Sequence, residues 1–273
     1  MITPQERAHA TGAGLSGRTA LVTGAGRGLG RAIACALADA GACVVLTSRT
    51  GAELAGTAAL VRASGGRAAT VEADISDRGQ VDRLHRTALE LTGQIDIVVN
   101  NAGNLVAKPF VALPAGDGPR SLPPPLTYDD WRSSHAVHLD GAFHVLQAFA
   151  PDMLARRYGR VVNIVSTSIG RAVPFTSAYD TAKAALAQLT RSLAFEWARY
   201  GVSVNAIAAG QFATRMSAQL HDTEAGTAWL AKRIPMRRTG DPEELGRLVV
   251  MLAGDQLPFL TGQVIALDGG ETL

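Results

Sequence analysis

Charge is sparse in this chain and almost balanced. Aspartate, glutamate, lysine and arginine make up 18% of its 273 residues, and the net charge is only +2. That removes the electrostatic reason to expect a nucleic acid or an acidic membrane as partner. Cysteine is scarcer still, with Cys35 and Cys43 alone. They fall on an expected helix and the strand after it, so two reduced, buried thiols are expected rather than a disulfide framework. No run of about 18 apolar residues occurs, so no membrane span is expected. Residues 1–16 read as a polar extension, with Glu6, Arg7 and His9 and no apolar stretch of the signal-peptide kind. A cytoplasmic protein is expected. What is plentiful is small or apolar: hydrophobic residues are 47%, enough for a sizeable core. No shift in composition marks a boundary, so residues 17–273 are expected to form a single domain.

The apolar residues come in short runs separated by longer amphipathic stretches. Residues 19–22, 43–47, 68–72, 95–99, 160–165, 203–207 and 263–267 read as strands, rich in Val and Ile as strands buried on both faces should be. Residues 28–40, 52–64, 78–91, 128–156, 177–200 and 242–253 have helical periodicity. Asp241 followed by Pro242 is a helix start, a capping side chain ahead of a proline at the first helical position. Alternation of this kind predicts an α/β fold, a doubly wound parallel sheet of about seven strands with helices on both faces. Residues 106–126 break the pattern. They contain Pro109, Pro114, Pro119, Pro123, Pro124 and Pro125 and cannot form a regular helix or central strand. They read as a surface excursion without a role, or as a lid or subunit contact beside a site.

The stretch from Thr23 to Gly30, TGAGRGLG, lies between a predicted strand and a predicted helix. A glycine-rich turn there lets backbone amides approach a pyrophosphate, and the helix N-terminus favours its negative charge. Tyr179 and Lys183 are spaced to share one helix face. A free phenol has a pKa of about 10, and a neighbouring ammonium is expected to lower it, so the pair can pass a proton to or from a substrate oxygen. Ser166 ends the apolar run Val161–Val165, thirteen residues before Tyr179. A hydroxyl at a strand end can bond a carbonyl and stabilise developing alkoxide charge. Ser168 competes for that role.

With Asn100, Asn101, Ala102 and Gly103, Asn205, and Asp268 to Gly270, these residues make the chain resemble the short-chain dehydrogenase/reductase family from about Gly17 to Gly270. The resemblance implies a Rossmann-type fold, a nicotinamide cofactor and hydride transfer between the nicotinamide and a carbonyl or secondary alcohol. It implies Tyr179 as acid/base, Lys183 on the nicotinamide ribose, and Ser166 positioning the carbonyl. It further implies cofactor contacts from Gly24, Arg27, Gly28, Leu29, Gly30, Ser48, Arg49, Asp74, Ile75, Asn101, Ala102, Gly103, Gly210, Phe212 and Thr214, with Asn100 lining the floor. The family's assemblies lead one to expect a homotetramer or homodimer. The long apolar helices expected at 128–156 and 177–200 agree, being too apolar to leave two faces wet.

The chain departs from the family's pattern in places. His138 stands where the family has an Asn that helps hold a water in a proton relay behind the lysine. Imidazole can also bond water, and the other reading is a packing residue. His135 and His138 share a helix face, but no third ligand has metal-site spacing, so no metal is expected. Ala209 replaces the usual Pro before Gly210. The span from Gly103 to Trp131 is 28 residues where the fold needs roughly 15, so the proline-rich stretch reads as an insertion.

The second strand ends in Thr47, Ser48 and Arg49, without the carboxylate that would bind the ribose 2′-hydroxyl of NAD. Arg27 and Arg49 suit a 2′-phosphate instead, so NADP(H) is the expected cofactor. Substrate contacts are expected from residues 169–176 and 211–233. In the second stretch Phe212, Met216, Leu220 and Trp229 read as an apolar lid or a packed small helix. Arg215, Lys232 and Arg233 read as solvated charges or as partners for an anion. The stretch from Gly210 to Thr214 resembles that of the family's sugar-acid reductases, while the general layout equally resembles 3-oxoacyl thioester reductases. A ketoreductase on one of these classes is expected; the alternative is a non-catalytic NADP-binding sensor or scaffold.

Overall fold

A computed structural model describes residues 14–114, 123–214 and 223–273. The strands are β1 (Thr19–Thr23), β2 (Cys43–Ser48), β3 (Arg67–Glu72), β4 (Ile97–Asn100), β5 (Gly159–Ser166), β6 (Val202–Ala209) and β7 (Val264–Leu267). The helices are α1 (Gly28–Asp39), α2 (Gly51–Ala63), α3 (Arg78–Thr92), α4 (Tyr128–His135), α5 (Gly141–Arg156), α6 (Ser177–Trp197), α7 (Glu224–Arg233) and α8 (Pro242–Ala253). All strands are parallel, in the order β3-β2-β1-β4-β5-β6-β7. The expected α/β sheet and its seven strands are therefore present, with the order reversing between β1 and β4. Open sheets of this kind bind ligands beyond the strand C-termini at that reversal.

The strands alternate between two apolar layers because successive side chains point to opposite faces. Ala20, Val22, Val44, Leu46, Ile97 and Val99 pack with Ile33 and Leu37 of α1 and Leu245 and Val249 of α8. Leu21, Val45, Val98 and Val161 pack the other way, with Val81 and Leu84 of α3 and Phe149 and Met153 of α5. Asp241 and Glu244 form a capping box ahead of α8, with Pro242 in its first turn, as the sequence predicts. Thr127 and Asp130 do the same for α4. The folded body also takes in Leu15, which is buried and whose amide donates to the Ala40 carbonyl at 2.8 Å. Cys35 and Cys43 are free thiols, half-buried rather than buried.

One expectation needs correcting. Residues 128–156 do not form an uninterrupted α-helix: α4 and α5 are joined by a π-helical turn, Ala136–Asp140. Hydrophobic periodicity does not register the extra residue of such a turn. The turn contains His138. Among the described residues no helix is long and apolar enough to cross a membrane.

Candidate active site

At the β1 end of the cleft, glycine is required by contact. Gly24 and Gly28 have φ of +65° and +52°, a region side chains rarely adopt. A Cβ on Gly30 would lie 2.1 Å from the Gly24 carbonyl oxygen, and one on Gly24 would lie 2.8 Å from the Ala102 Cα. No side chain caps α1 and no acidic residue stands in its first turn, so the positive end of its dipole faces the turn. The turn is tied down from behind. The Thr23 hydroxyl accepts from the amides of Asn101 (3.0 Å) and Ala102 (3.1 Å), and Asn101 Nδ2 donates to the Thr23 carbonyl at 2.9 Å. Arg31 Nη2 donates to the Gly26 carbonyl at 2.6 Å, and the buried Thr57 hydroxyl to that of Ala25 at 2.9 Å. Sequence reasoning missed Arg31 and Thr57. The signal was Thr57 itself, a polar side chain on the apolar face of α2 between Leu54 and Val61. Such a cradle, convex in glycine and backed by donors to its own carbonyls, fits a pyrophosphate.

Several expected contacts have other duties. Asn100 Nδ2 bonds Asn163 Oδ1 at 2.8 Å and Asn163 Nδ2 bonds the Thr190 hydroxyl at 2.9 Å, so Asn100 links β4, β5 and α6, while its own Oδ1 is buried without a protein partner. The Asn101 side chain holds the glycine turn. The Ile75 side chain is in the core, against Gly141, which leaves only its backbone for a ligand. Phe212 is also buried, packed on Gly240, where a Cβ would come within 2.3 Å of its ring. Thr214 does reach the glycine turn: its methyl lies 3.7 Å from where a Cβ on Gly28 would be. Gly210 packs on Asp268, and its amide donates to Leu267 at 3.0 Å. Ser48 ends β2, and its hydroxyl accepts from the Thr50 amide at 3.3 Å. Beside it Arg49 is 72% exposed and 3.9 Å from Asp74, while Arg27 is 57% exposed and 3.3 Å from Glu53.

At the β5 end Lys183 and His138 are buried, and Ser166 and Tyr179 are half-buried. The Ser166 hydroxyl accepts from the Ser168 amide at 3.1 Å and faces the Tyr179 phenol closely enough to lower its pKa. Lys183 is 4% exposed; its ammonium donates to the Ile164 carbonyl at 2.6 Å and sits 5.8 Å from the centre of the Tyr179 ring. The structure thus brings Ser166, Tyr179 and Lys183 together. Ser168, the competitor, is turned inward, its hydroxyl buried without a protein partner.

The electrostatics differ from expectation. Burial pushes the Tyr179 phenol up, Ser166 pulls it down, and Asp180 adds to the rise. Burial also lowers Lys183 to about 7. Desolvation outweighs the expected attraction between ammonium and phenolate, so the phenol keeps its proton near neutrality.

His138 is 2% exposed and meets the Tyr179 ring edge-on, with centroids 5.1 Å apart. Its Nε2 lies 2.7 Å from the Asn104 carbonyl and 3.2 Å from the Asn104 amide. One nitrogen cannot donate and accept at once; the shorter contact selects Nε2–H, which leaves Nδ1 as an acceptor. That Nδ1 is buried with no protein partner. Burial first, then Lys183, holds the imidazole well below its usual pKa, against the opposing pull of Asn104 and with help from His135. Gly103 packs flat on the ring: a Cβ there would lie 2.2 Å from His138 Cε1. Among the described residues no cluster of three possible metal ligands occurs.

The segments expected to meet substrate are tied to other parts of the chain. Phe175 takes a φ of +68°, and its carbonyl accepts from the Lys108 amide at 2.8 Å, so the start of the proline-rich stretch docks on residues 169–176. The Lys108 ammonium is held by Asp130 at 2.6 Å. Residues 224–233 form the small helix α7, with Trp229 44% exposed and the Arg233 guanidinium 4.9 Å from its ring centre. Arg233 pairs with Glu271 instead of standing as a solvated charge. Arg215, Met216, Leu220 and Pro119 lie outside the described residues.

The chain is similar to known oxidoreductases over most of its length. A family model described as enoyl-(acyl carrier protein) reductase matches residues 24–272. The chain is 36% identical over 260 residues to gluconate 5-dehydrogenase of Gluconobacter oxydans, covering 95% of this chain and 96% of that one. It is 35% identical over 263 residues to 3-oxoacyl-[acyl-carrier-protein] reductase of Synechocystis, covering 95% and 98%. Among solved structures, a gluconate 5-dehydrogenase from Burkholderia cenocepacia in complex with NADP and tartrate aligns with a TM-score of 0.86 at 36% identity, over 95% of this chain and 97% of that one.

Proposed function

The chain belongs to the short-chain dehydrogenase/reductase family of oxidoreductases, and from that premise we propose that it is an NADPH-dependent ketoreductase in which Tyr179 is the general acid. The observation behind this reading is the cluster of half-buried Ser166 and Tyr179 with buried Lys183 around the end of β5, with only β4 between that strand and β1, which leads into the glycine cradle. Gly24 to Gly30 and the start of α1 would hold the pyrophosphate, Arg27 and Arg49 the 2′-phosphate, and Lys183 the nicotinamide ribose. Bound there, the dihydronicotinamide supplies a hydride to the carbonyl carbon. Ser166 orients the carbonyl oxygen by a hydrogen bond. Tyr179, kept protonated by burial, donates its hydroxyl proton to that oxygen as it becomes an alkoxide. Lys183, with a pKa near neutrality, can return a proton to the phenolate.

His138 takes the place of the family's relay Asn in this reading. Its buried Nδ1 is an acceptor for a water that links Lys183 to solvent, and its Nε2–H is fixed by Asn104. The neutral ring is the working form, since a cation there would repel Lys183.

The sugar-acid class is supported by the resemblance of residues 210–214 and by the gluconate 5-dehydrogenase relatives. A specific observation supports the acyl class: Leu105, Phe110, Val111 and Phe175 are exposed on the two segments joined at Lys108 and Phe175. NADPH oxidation should be followed with a ketogluconate, a 3-oxoacyl thioester and an aromatic ketone. Turnover of none of them, with NADPH bound, would sink the ketoreductase reading and leave a binding-only role. A homotetramer is part of the proposal, because α5 and α6 leave Phe143 and Phe195 exposed, the latter at 91%. A monomer by light scattering at micromolar concentration would remove it.

A further inference from the structure

Among the described residues Glu271 and Asp96 are the buried carboxylates, and the Glu271 side chain is 2% exposed. It follows β7, in a segment turned back by Asp268, whose carboxylate accepts from the amides of Gly270 at 2.9 Å and Thr272 at 3.0 Å. Nothing in the proposed proton path uses it. Its contacts run to both segments expected to face substrate. The carboxylate pairs with Arg233 Nε, in the last turn of α7. The backbone carbonyl accepts from Arg171 Nη1 at 2.9 Å, and Arg171 lies in the 169–176 loop that leads into Tyr179.

Other bonds close the same corner. The Met236 amide, just past α7, donates to the Gly269 carbonyl at 3.1 Å. Ile234 is buried, and a Cβ on Gly269 would stand 2.8 Å from its methyl. Arg233 is 15% exposed and its guanidinium rests over Trp229, so it is set in place on two sides. The second carboxylate oxygen, Oε2, is buried with no protein partner. A buried carboxylate held by one arginine is costly to disturb, because removing either partner strands the other charge.

The geometry points to Glu271 as a positioning residue shared by both walls of the substrate entrance: through its carboxylate it fixes α7, and through its carbonyl it fixes the loop before Tyr179. The two walls then do not move independently. A shift of α7 is transmitted through the backbone at 271 to Arg171, and from there to the segment that carries Phe175 in its left-handed conformation. The inference rests on the proposed function only in its kinetic arm; the structural arm needs no substrate.

Amide hydrogen exchange of the full chain tests it directly. Glu271→Gln keeps the volume and one acceptor but removes the charge. It should speed exchange in both 224–233 and 169–176 while α8 stays protected. Arg233→Ala should loosen chiefly the first segment and Arg171→Ala chiefly the second. If Glu271→Gln loosened α7 alone, or neither segment, the shared anchor would be refuted. The kinetic arm uses NADPH and the ketone that the wild-type protein reduces fastest in the panel above. Glu271→Gln should lower kcat/KM on the order of 10- to 100-fold, as for a small misplacement of positioning groups. The loss should lie mostly in KM, with NADPH affinity unchanged, whereas general unfolding would lower both. Should Glu271→Gln fail to fold, Arg171→Ala, Arg233→Ala and the double variant form a cycle. Coupled walls require losses that do not multiply, and independent losses would refute the inference as surely. Changed exchange without turnover of any ketone would leave the anchor standing and count only against the ketoreductase reading.

Discussion

Around Tyr179 the ionisable groups are buried and short of opposite charge; around Arg49 they are exposed and already beside carboxylates. Lys183 and His138 are both held to low pKa values chiefly by burial, and the Tyr179 phenol is raised for the same reason. Arg49 faces Asp74 and Arg27 faces Glu53, each with more than half of its guanidinium side chain in water. At the first end the protein holds desolvated groups, of which Lys183, at about 7, changes protonation near neutrality. At the second it offers fixed charges whose strength is screened and shared. In the proposed function the chemistry belongs at the first end and cofactor choice at the second, and substitutions should have larger effects where water is excluded.

The sharpest test of that contrast is Tyr179→Phe. The ring still packs on His138, but the transferable proton is gone. Turnover should fall by about 10²–10⁴-fold, the usual contribution of acid–base catalysis, while NADPH still binds by fluorescence titration. A variant that kept a tenth of the wild-type rate would show that another group is the acid.

Lys183 gives a second test, on stability. Its folded pKa, about 7, lies below the ordinary lysine value of 10.5. Between these values the unfolded chain binds a proton that the folded chain does not, so stability rises with pH across this window and is lost as pH falls toward 7. The slope should be on the order of 1 kcal/mol per pH unit, and Lys183→Met should flatten it. The comparison is cleanest below about pH 10, where an unfolded tyrosine begins to titrate. Chemical denaturation of both proteins at two alkaline pH values measures the slope, and equal slopes would mean that the lysine is solvated.

His138 should show a smaller effect. Because burial and Lys183 hold the imidazole well below 6.5, the acid limb it causes in the pH–rate profile should lie well below that value. His138→Asn should move or abolish the limb and keep substantial activity. His138→Ala leaves the relay water without a partner and should be slower on the order of tenfold, the cost of about one hydrogen bond to a charged chain. Superimposable profiles for all three proteins would make His138 a packing residue.

Much of this was legible in the sequence, and for identifiable reasons. Glycines at 24, 28 and 30 and the apolar runs of β1, β2, β4, β5 and β6 are imposed by backbone geometry and by burial on both faces, and both leave local marks, while β3 and β7, at the sheet edges, are only partly covered. The pairing of Tyr179 with Lys183 follows from helix periodicity alone. What could not be read was set by three-dimensional neighbours. The π turn at Ala136–Asp140 adds a residue without altering composition. The rise of the Tyr179 pKa depends on burial, which spacing does not report. Asn100 and Phe212 have the positions of ligand contacts, but that Asn100 also ties β4 to Asn163 and that the Phe212 ring packs in the core depend on residues distant in sequence. Glu271 sits 38 residues from its partner Arg233, and no local pattern announces that ion pair.

The smallest effects are expected at the exposed end, and they test whether the carboxylates there temper the arginines. Arg49→Ala should weaken NADPH by about tenfold, near the lower end for a hydrogen bond to a charged group, and leave NADH unchanged. Arg27→Ala should cost less, because Arg27 must first give up Glu53, which lies 3.3 Å away. It follows that Glu53→Gln should tighten NADPH by a few-fold, as an arginine released from its carboxylate turns fully to the phosphate. That gain should shrink as salt is added, since the groups are exposed. Isothermal titration of both cofactors to the three variants separates the outcomes. If NADPH and NADH lost affinity equally in Arg49→Ala, the guanidinium would be meeting a phosphate that both cofactors share, and the structural basis for preferring NADPH would fall. If Glu53→Gln weakened NADPH instead, the carboxylate would be orienting Arg27 toward the phosphate, and the two ends of the cleft would be more alike than their burial suggests.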